Sequence, residues 1–136
     1  MSNIGIAFDI IDESKPAPIG WSKESGHMVF GVKMDFTRKA RWILDGHRYA
    51  DPNGSTYVGV VSRDSVCTSL TYSELNVIDM LATNTQNTYL QAPFSQKHYV
   101  VCGEEFGLEN VGKVSLIRRA LYRGKSSGRN FRNYLH

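Results

Sequence analysis

The chain has 136 residues, of which 41% are hydrophobic and 21% are charged, a composition that fits one globular domain able to bury a core. No apolar run approaches the length of a membrane span, and the N-terminal residues lack the basic flank and long apolar stretch of a secretory signal. The sequence therefore argues against a membrane or secreted protein and predicts an intracellular one, cytoplasmic or nuclear. Cys67 and Cys102 have no Cys-x-x-Cys spacing and are expected to be free, buried thiols.

Charge is unevenly distributed along the chain. The formal net charge is +3, and the residues from Lys113 onward contain seven basic and no acidic side chains. The rest of the chain therefore contains nine of the sixteen basic residues and all thirteen acidic ones. A basic segment of this kind attracts phosphate backbones, because each Lys or Arg contact releases condensed counterions. A solvated helix face is the alternative, and the charge pattern alone does not separate the two.

Residues 1–20 are predicted to form an extended leader, and residues 21–136 to form one domain. The Pro-x-Pro pair at Pro16 and Pro18 favours extended backbone at the end of the leader. One short strand between Ile4 and Ile11 is compatible with the pattern.

Residues 27–46 are predicted to form a β-hairpin. Apolar residues alternate with others over residues 28–34, as in a half-buried strand. A second apolar run, over residues 40–44, ends at the turn signal Asp45-Gly46.

A helix is predicted over about residues 62–78. Ser62 or Asp64 can cap its first turn through a side-chain oxygen. Apolar residues then recur at intervals of about three to four, a spacing that favours one buried helical face. The members of this predicted stripe are Val66, Cys67, Leu70, Leu75 and Ile78. We expect the stripe to belong to the core and not to a ligand site.

Residues 81–93 have apolar side chains at their edges and amides and hydroxyls in their middle. This pattern predicts a strand that ends at Pro93 and presents polar side chains to a cleft, because proline cannot continue a β-ladder. An edge strand that runs into a turn is the alternative. Beyond this stretch, a strand is predicted at residues 98–103, followed by a further strand, a basic turn and a helix over residues 114–136.

The polar stretch resembles the first catalytic motif of Ty1/copia-type reverse transcriptases, typically Ala-Asp-Ile-Gln-Asn-Ala-Tyr-Leu-Gln-Ala-Pro. Gln86, Asn87 and residues 89–93 match this motif. In the family, the aspartate binds the catalytic metal ions. Asn84 occupies the position of that aspartate, so the resemblance makes it the degenerate form of a catalytic residue.

Other blocks carry the resemblance in the order that the family has them. Lys39-Ala40-Arg41 is similar to a basic signature in the fingers of the family, and residues 119–131 resemble the block Leu-Tyr-Gly-Leu-Lys-x-x-Gly-x-x-Trp. In that block, Arg123 stands where the family has glycine and Phe131 where it has tryptophan. Because a side chain disfavours the φ > 0 conformations open to glycine, we expect the turn at Arg123 to be strained or shifted.

The resemblance implies an α+β fold, the fingers and partial palm of a right-hand polymerase, with an antiparallel sheet and packed helices. It implies that Lys39 and Arg41 lie over the triphosphate of an incoming nucleotide, that Tyr89 lies beneath its sugar, and that Lys125 adds to a positive surface near Tyr89. The residues expected to contact RNA or DNA are the basic ones of the C-terminal block, Arg119, Arg123, Lys125, Arg129 and Arg132.

Catalytic activity is not expected. Two-metal phosphoryl transfer needs several carboxylates around two cations, and protein sites for Mg²⁺, the metal of the family, depend on carboxylate oxygens. Asn84 carries no charge, and the second metal-binding motif of the family, Tyr-x-Asp-Asp, does not occur in the sequence. The resemblance therefore implies an inactive fragment of an RNA-directed DNA polymerase, without a cofactor or a metal site.

Two other interpretations remain open. The chain could be a non-catalytic nucleic-acid-binding module that uses the basic hairpin and the C-terminus. It could also be a structural subunit of a larger assembly, in which an exposed sheet edge near Val100 and Leu116 pairs with another protein chain.

Overall fold

The computed structural model describes residues 4–11, 15–46 and 58–136, and these residues form an α+β fold. The helices and strands follow in the order α1 (Ile4–Ala7), β1 (Phe8–Ile10), β2 (Ser22–Lys23), β3 (Gly26–Val32), β4 (Arg38–Leu44), α2 (Arg63–Leu75), α3 (Thr88–Gln91), β5 (His98–Val101), β6 (Val114–Ile117) and α4 (Ser127–Leu135). Two short 3-10 helices, Glu104–Phe106 and Leu108–Asn110, lie between β5 and β6. The predicted α+β class is confirmed.

Four strands form the main sheet in the order β1-β6-β5-β2. β6 pairs antiparallel with both neighbours, so that Leu116 lies opposite Asp9 on one side and Tyr99 on the other. β2 pairs parallel with β5, so the sheet is mixed and not wholly antiparallel. Parallel strands need a long crossover, and here the crossover from Lys23 to His98 contains the hairpin, α2 and α3.

The core lies where the base of the hairpin meets the main sheet. Phe8, Trp42 and Phe106 are buried and meet edge to face, with ring centroids 5.0 Å apart for Phe8–Trp42 and Phe8–Phe106 and 6.1 Å apart for Trp42–Phe106. Such pairs contribute about 0.5–1.5 kcal/mol each beyond the area that they bury. Trp42 Nε1 also donates a 3.3 Å hydrogen bond to the carboxylate of Glu105. These contacts fix β4 on the sheet.

The predicted hairpin at residues 27–46 is confirmed. β3 and β4 form seven antiparallel residue pairs. The last three residues of β4 are buried, whereas the part of the hairpin near its turn is exposed. At the turn, the amide of Thr37 donates a 3.0 Å hydrogen bond to the carboxylate of Asp35, and this bond lowers the pKa of Asp35.

The predicted leader is in part a component of the core. The expected short strand is present as β1, which forms an edge of the main sheet, while α1 occupies the residues before it. Ala7 and Phe8 are only 1% and 7% exposed, because an apolar side chain gains about 1.5–3 kcal/mol when fully buried. Residues 1–3 and 12–14 of the leader lie outside the described residues.

A helix is present where one was predicted over residues 62–78, but α2 (Arg63–Leu75) ends three residues earlier than predicted. Ser62 is its N-cap, and the side-chain oxygen of Ser62 accepts a 3.1 Å hydrogen bond from the amide of Ser65. None of the helices within the described ranges is both long and apolar enough to cross a membrane.

The prediction that the apolar stripe of α2 belongs to the core is wrong. Leu70 and Leu75 are 53% and 78% exposed, and Cys67, predicted to be buried, is exposed as well, although both cysteines are free as expected. Leu75 follows Val66 by nine residues, which at 3.6 residues per turn is about half a turn off, so the two lie on opposite sides of the helix. Ile78 lies beyond the end of the helix. The stripe therefore is not one face.

The residues expected at an exposed sheet edge are buried. Val100 and Leu116 are 2% and 6% exposed, because β5 and β6 are the two central strands. The edges of the main sheet are β1 and β2, of three and two residues. Edge strands this short offer few unpaired backbone groups to another chain. The expectation that Val100 and Leu116 lie at an exposed sheet edge is therefore wrong.

The two strands, the turn and the helix predicted after residue 98 are present. They are β5, β6, the turn after β6, and α4. In the turn, Arg123 has φ +63°, the left-handed region that favours glycine. The Ser127 hydroxyl donates a 2.6 Å hydrogen bond to the carbonyl of Leu121, and the amide of Gly124 donates a 3.2 Å bond to the same carbonyl. The turn thus holds arginine in a glycine-like conformation, which is the strained outcome of the two that we expected.

Candidate functional site

A cavity of about 900 Å³ lies between the hairpin, the segment that leads into α3, and the turn after β6. The residues that line it are Lys33 and residues 37–42 of the hairpin, residues 84–90, and Ala7, Phe8, Met28, Leu121 and Tyr122. Four residues that the sequence singled out, Lys39, Arg41, Asn84 and Tyr89, are therefore neighbours of one cavity, although they come from two distant segments.

The charged side chains that line the cavity are all cationic. They are Lys33, Arg38, Lys39 and Arg41, and none of the lining residues in the described part of the chain is an aspartate or glutamate. A single exposed ion pair contributes only about 0.2–1 kcal/mol, but several cations around one cleft raise the local concentration of anions and act together on a polyanion. The cavity is suited to a ligand that carries several negative charges.

Arg41 is held by an aromatic cluster on one side of the cavity. Its guanidinium lies 5.2 Å from the centroid of the Tyr122 ring, a cation–π contact worth about 0.5–1 kcal/mol at an exposed site. Tyr122 meets Tyr89 edge to face at 5.5 Å, and Tyr89 meets Phe131 of α4 at 6.4 Å. The cluster thus connects the cation of the hairpin to α3 and α4.

Backbone pairing brings Tyr122 to the hairpin. The amide of Leu44 donates a 3.1 Å hydrogen bond to the carbonyl of Tyr122, and Ile43 forms a parallel bridge with the same residue. The carbonyl of Arg123 lies so close to Gly46 that a Cβ there would be 2.8 Å from it. The end of β4 and the turn after β6 therefore form one wall of the cavity.

Asn84 does not lie on a strand. Residues 81–85 have no regular structure, and a turn at residues 86–87 leads into α3. The predicted strand, and the alternative edge strand, are both wrong for this segment, although its polar side chains do border a cleft. The antiparallel pairing near the motif is a single bridge between Pro93 and Arg119. The pairing through Asn84 that a family-like palm requires is not seen in the described residues.

Local hydrogen bonds explain why this segment is not extended. The hydroxyl of Thr88 donates a 2.9 Å bond to the carbonyl of Thr85, and the side-chain amide of Gln91 donates a 3.3 Å bond to the carbonyl of Gln86. Such side-chain bonds to nearby backbone compete with a β-ladder. Asn87 reverses the chain with φ +51°, a conformation that asparagine tolerates better than most residues.

The residues at the cavity do not fit a two-metal centre. Asn84 offers a neutral amide oxygen, and the cavity lining contains no carboxylate, whereas Mg²⁺ sites depend on one or two of them. Across the described ranges, no group of three or more His, Cys, Asp or Glu side chains could hold a metal ion. No metal-dependent step can be derived from this arrangement.

The predicted nucleic-acid residues of the C-terminal block lie outside the cavity lining. Arg119 Nη1 donates a 3.1 Å hydrogen bond to the carbonyl of Gln91, so this arginine fixes the end of α3. Arg123 and Arg132 are exposed, while Lys125 and Arg129 are half-buried. Lys125 was expected in the positive surface near Tyr89, but it is not one of the lining residues.

Sequence reasoning missed three lining residues: Lys33, Arg38 and Tyr122. Lys33 and Arg38 flank the hairpin turn, and a cation count over the whole predicted hairpin would have found them. Tyr122 belongs to the Leu-Tyr pair of the C-terminal block. No local signal indicates that it contacts Arg41, because that contact depends on the docking of the hairpin.

Comparison with known proteins adds no further assignment. No known protein family, curated protein or solved structure matches this chain.

Proposed function

We propose that this chain binds nucleotides through their phosphates without transferring them, at a site whose residues match motifs of the Ty1/copia reverse transcriptases, although the segment of Asn84 does not form the paired palm strand of that family. The observation that carries the proposal is the convergence of Lys39, Arg41, Asn84 and Tyr89 on one cavity. These are the residues that the motifs associate with the triphosphate, the metal ions and the sugar.

The charge of the cavity supports phosphate as the ligand group. Lys39 and Arg41 are joined there by Lys33 and Arg38. Arginine presents a planar fork of donors that matches phosphate oxygens, and the contact with Tyr122 restricts the orientation of Arg41 before a ligand arrives. A restricted donor loses less conformational entropy on binding than a free one.

The absence of a carboxylate from the lining supports binding without transfer. Transfer would need two cations that bridge the attacking and leaving oxygens. The cavity instead is lined by cationic residues, which can neutralise a triphosphate without a metal ion. We therefore expect binding to persist when divalent ions are removed.

The test is titration of dATP into the full chain by calorimetry, once with EDTA and once with Mg²⁺. We expect binding in both, and Arg41→Ala should weaken it about tenfold, because a hydrogen bond to a charged group is worth about 1.5–3 kcal/mol. Lys97→Ala is the matched control, since Lys97 is exposed and does not line the cavity.

Three outcomes would contradict the proposal: no binding of dATP, binding only with Mg²⁺, or equal loss in both variants. A parallel titration with a single-stranded oligonucleotide distinguishes nucleotide binding from the alternative, a nucleic-acid-binding module. Binding of the oligonucleotide without binding of dATP would favour a nucleic-acid-binding module that uses the basic C-terminus.

A further inference from the structure

Two apolar surfaces of this chain lie open to solvent. The first is the helix patch, which we define as Val66, Leu70 and Ile78, exposed to 43%, 53% and 52%. Val66 and Leu70 lie one turn apart on α2, and the amide of Ile78 donates a 3.0 Å hydrogen bond to the carbonyl of Ser73, which brings the chain back against the helix. Val66 and Leu70 therefore share one side of α2, and the backbone of Ile78 lies against the turn of the helix that contains Ser73.

The second surface is the hairpin tip, which we define as Phe30, Met34 and Phe36, exposed to 76%, 102% and 86%. The turn that carries it is ordered, because the amide of Lys33 bonds to the carbonyl of Thr37 at 3.0 Å and the amide of Phe36 bonds to the carbonyl of Lys33 at 2.9 Å. Phe36 has φ +60°, an unfavourable conformation for a large aromatic residue. Contiguous exposed apolar groups of this kind mark interaction surfaces.

The charges around the two surfaces are opposite. Residues 63–81 contain the carboxylates Asp64, Glu74 and Asp79 against the single cation Arg63. The hairpin contains the cations Lys33, Arg38, Lys39 and Arg41 against the carboxylates Asp35 and Asp45. Opposite potentials guide association and disfavour the pairing of like surfaces. The segments that carry the hairpin tip and the helix patch are therefore opposite in net charge, and both expose apolar side chains.

We propose that the hairpin tip of one copy of this chain docks on the helix patch of a second copy, and the reverse, in a two-fold dimer. In the folded chain both surfaces are exposed at the same time, so docking between copies covers what the single chain leaves open. A two-fold arrangement covers both surfaces of both copies and closes the assembly, because each residue contact occurs twice. The apolar residues of the two surfaces do not line the cavity, although the hairpin cations that supply the charge do.

The first test is sedimentation over a range of protein concentrations, with a dimer expected at twice the chain mass of 15.3 kDa. Leu70→Asp and Phe36→Asp should each weaken dimerisation at least tenfold. Leu75→Asp is the matched control, because Leu75 is on the same helix, is 78% exposed, and lies outside the helix patch. A monomer at every concentration, or equal weakening by the control, would overturn the proposal.

The second test uses the native thiol of Cys67, which is exposed on α2, and a short bis-maleimide. We expect Met34→Cys to form a 34–67 cross-link. Ile19→Cys, at a position that is 104% exposed and outside both surfaces, should give at least tenfold less cross-link to Cys67. Mixing isotope-labelled and unlabelled chains identifies which chains are joined. Cross-links with mixed labels support the dimer, whereas a 34–67 link within one chain, or none, would overturn it.

Discussion

Replacing Arg123 by glycine should stabilise this protein. Arg123 occupies the left-handed region with φ +63°, where a residue with a Cβ pays about 1–2 kcal/mol relative to the right-handed region. Glycine removes that strain but loses more backbone entropy on folding, roughly 0.5–1 kcal/mol. The difference is a net gain of about 0.5–1 kcal/mol for Arg123→Gly.

The size of the effect is measurable by thermal or urea denaturation. Unfolding entropy is about 2.1 cal/mol/K per residue, which for a chain of 136 residues converts the expected gain into a rise in Tm of about 2–4 °C. Arg123→Ala is the first control, because it removes the guanidinium and keeps the Cβ in the strained conformation. Arg132→Gly is the second, because glycine inside α4 should lower stability by about 1 kcal/mol.

The comparison of Arg123→Gly with Arg123→Ala isolates the backbone term, since both variants lack the charged side chain. Equal stability of the two variants, or a lower stability of the glycine variant, would refute the reasoning.

Two further predictions concern chemistry and pH. In primer extension on an RNA template with Mg²⁺ or Mn²⁺, neither the natural chain nor Asn84→Asp should extend the primer, because one restored carboxylate cannot hold two cations. Extension by the natural chain would overturn our interpretation, and extension by the variant alone would show that another carboxylate contributes. Burial lowers the pKa of His98, whose Nδ1 lies 2.9 Å from Glu24 Oε1, so the folded state binds the His98 proton less readily than the unfolded state. Its contribution to the free energy of unfolding is therefore present above the unfolded pKa of about 6.5 and is lost as the pH falls below it. Burial raises the pKa of Glu24. The contribution of Glu24 to the free energy of unfolding therefore has the opposite pH dependence: it is present below about pH 4.5 and is lost as the pH rises. In urea denaturation between pH 7 and 6, stability should fall with pH, and His98→Gln should reduce this fall. Exposed His136, at the end of the sequence, provides the control variant His136→Gln, and an unchanged slope in the His98 variant would contradict the assignment.

Short-range signals in the sequence predicted the elements of this chain well where one segment suffices to define them. Alternation identified the hairpin, and Ser62 identified the start of α2 through a hydrogen bond that spans three residues. These features depend on backbone geometry and on neighbours a few positions away. The motifs also singled out Lys39, Arg41, Asn84 and Tyr89, which the folded chain brings to one cavity.

Only the tertiary structure decided which surfaces are covered and which side chains meet. Apolar spacing identifies residues that could be buried, but burial needs a second element packed against them. Several apolar residues of α2 stay exposed, whereas Val100 and Leu116 are buried because β5 and β6 are central strands. The contact of Arg41 with Tyr122 likewise exists because the end of β4 pairs with the turn after β6. Such contacts join residues far apart in sequence, and their free energy comes from desolvation and packing between elements, which no local pattern contains.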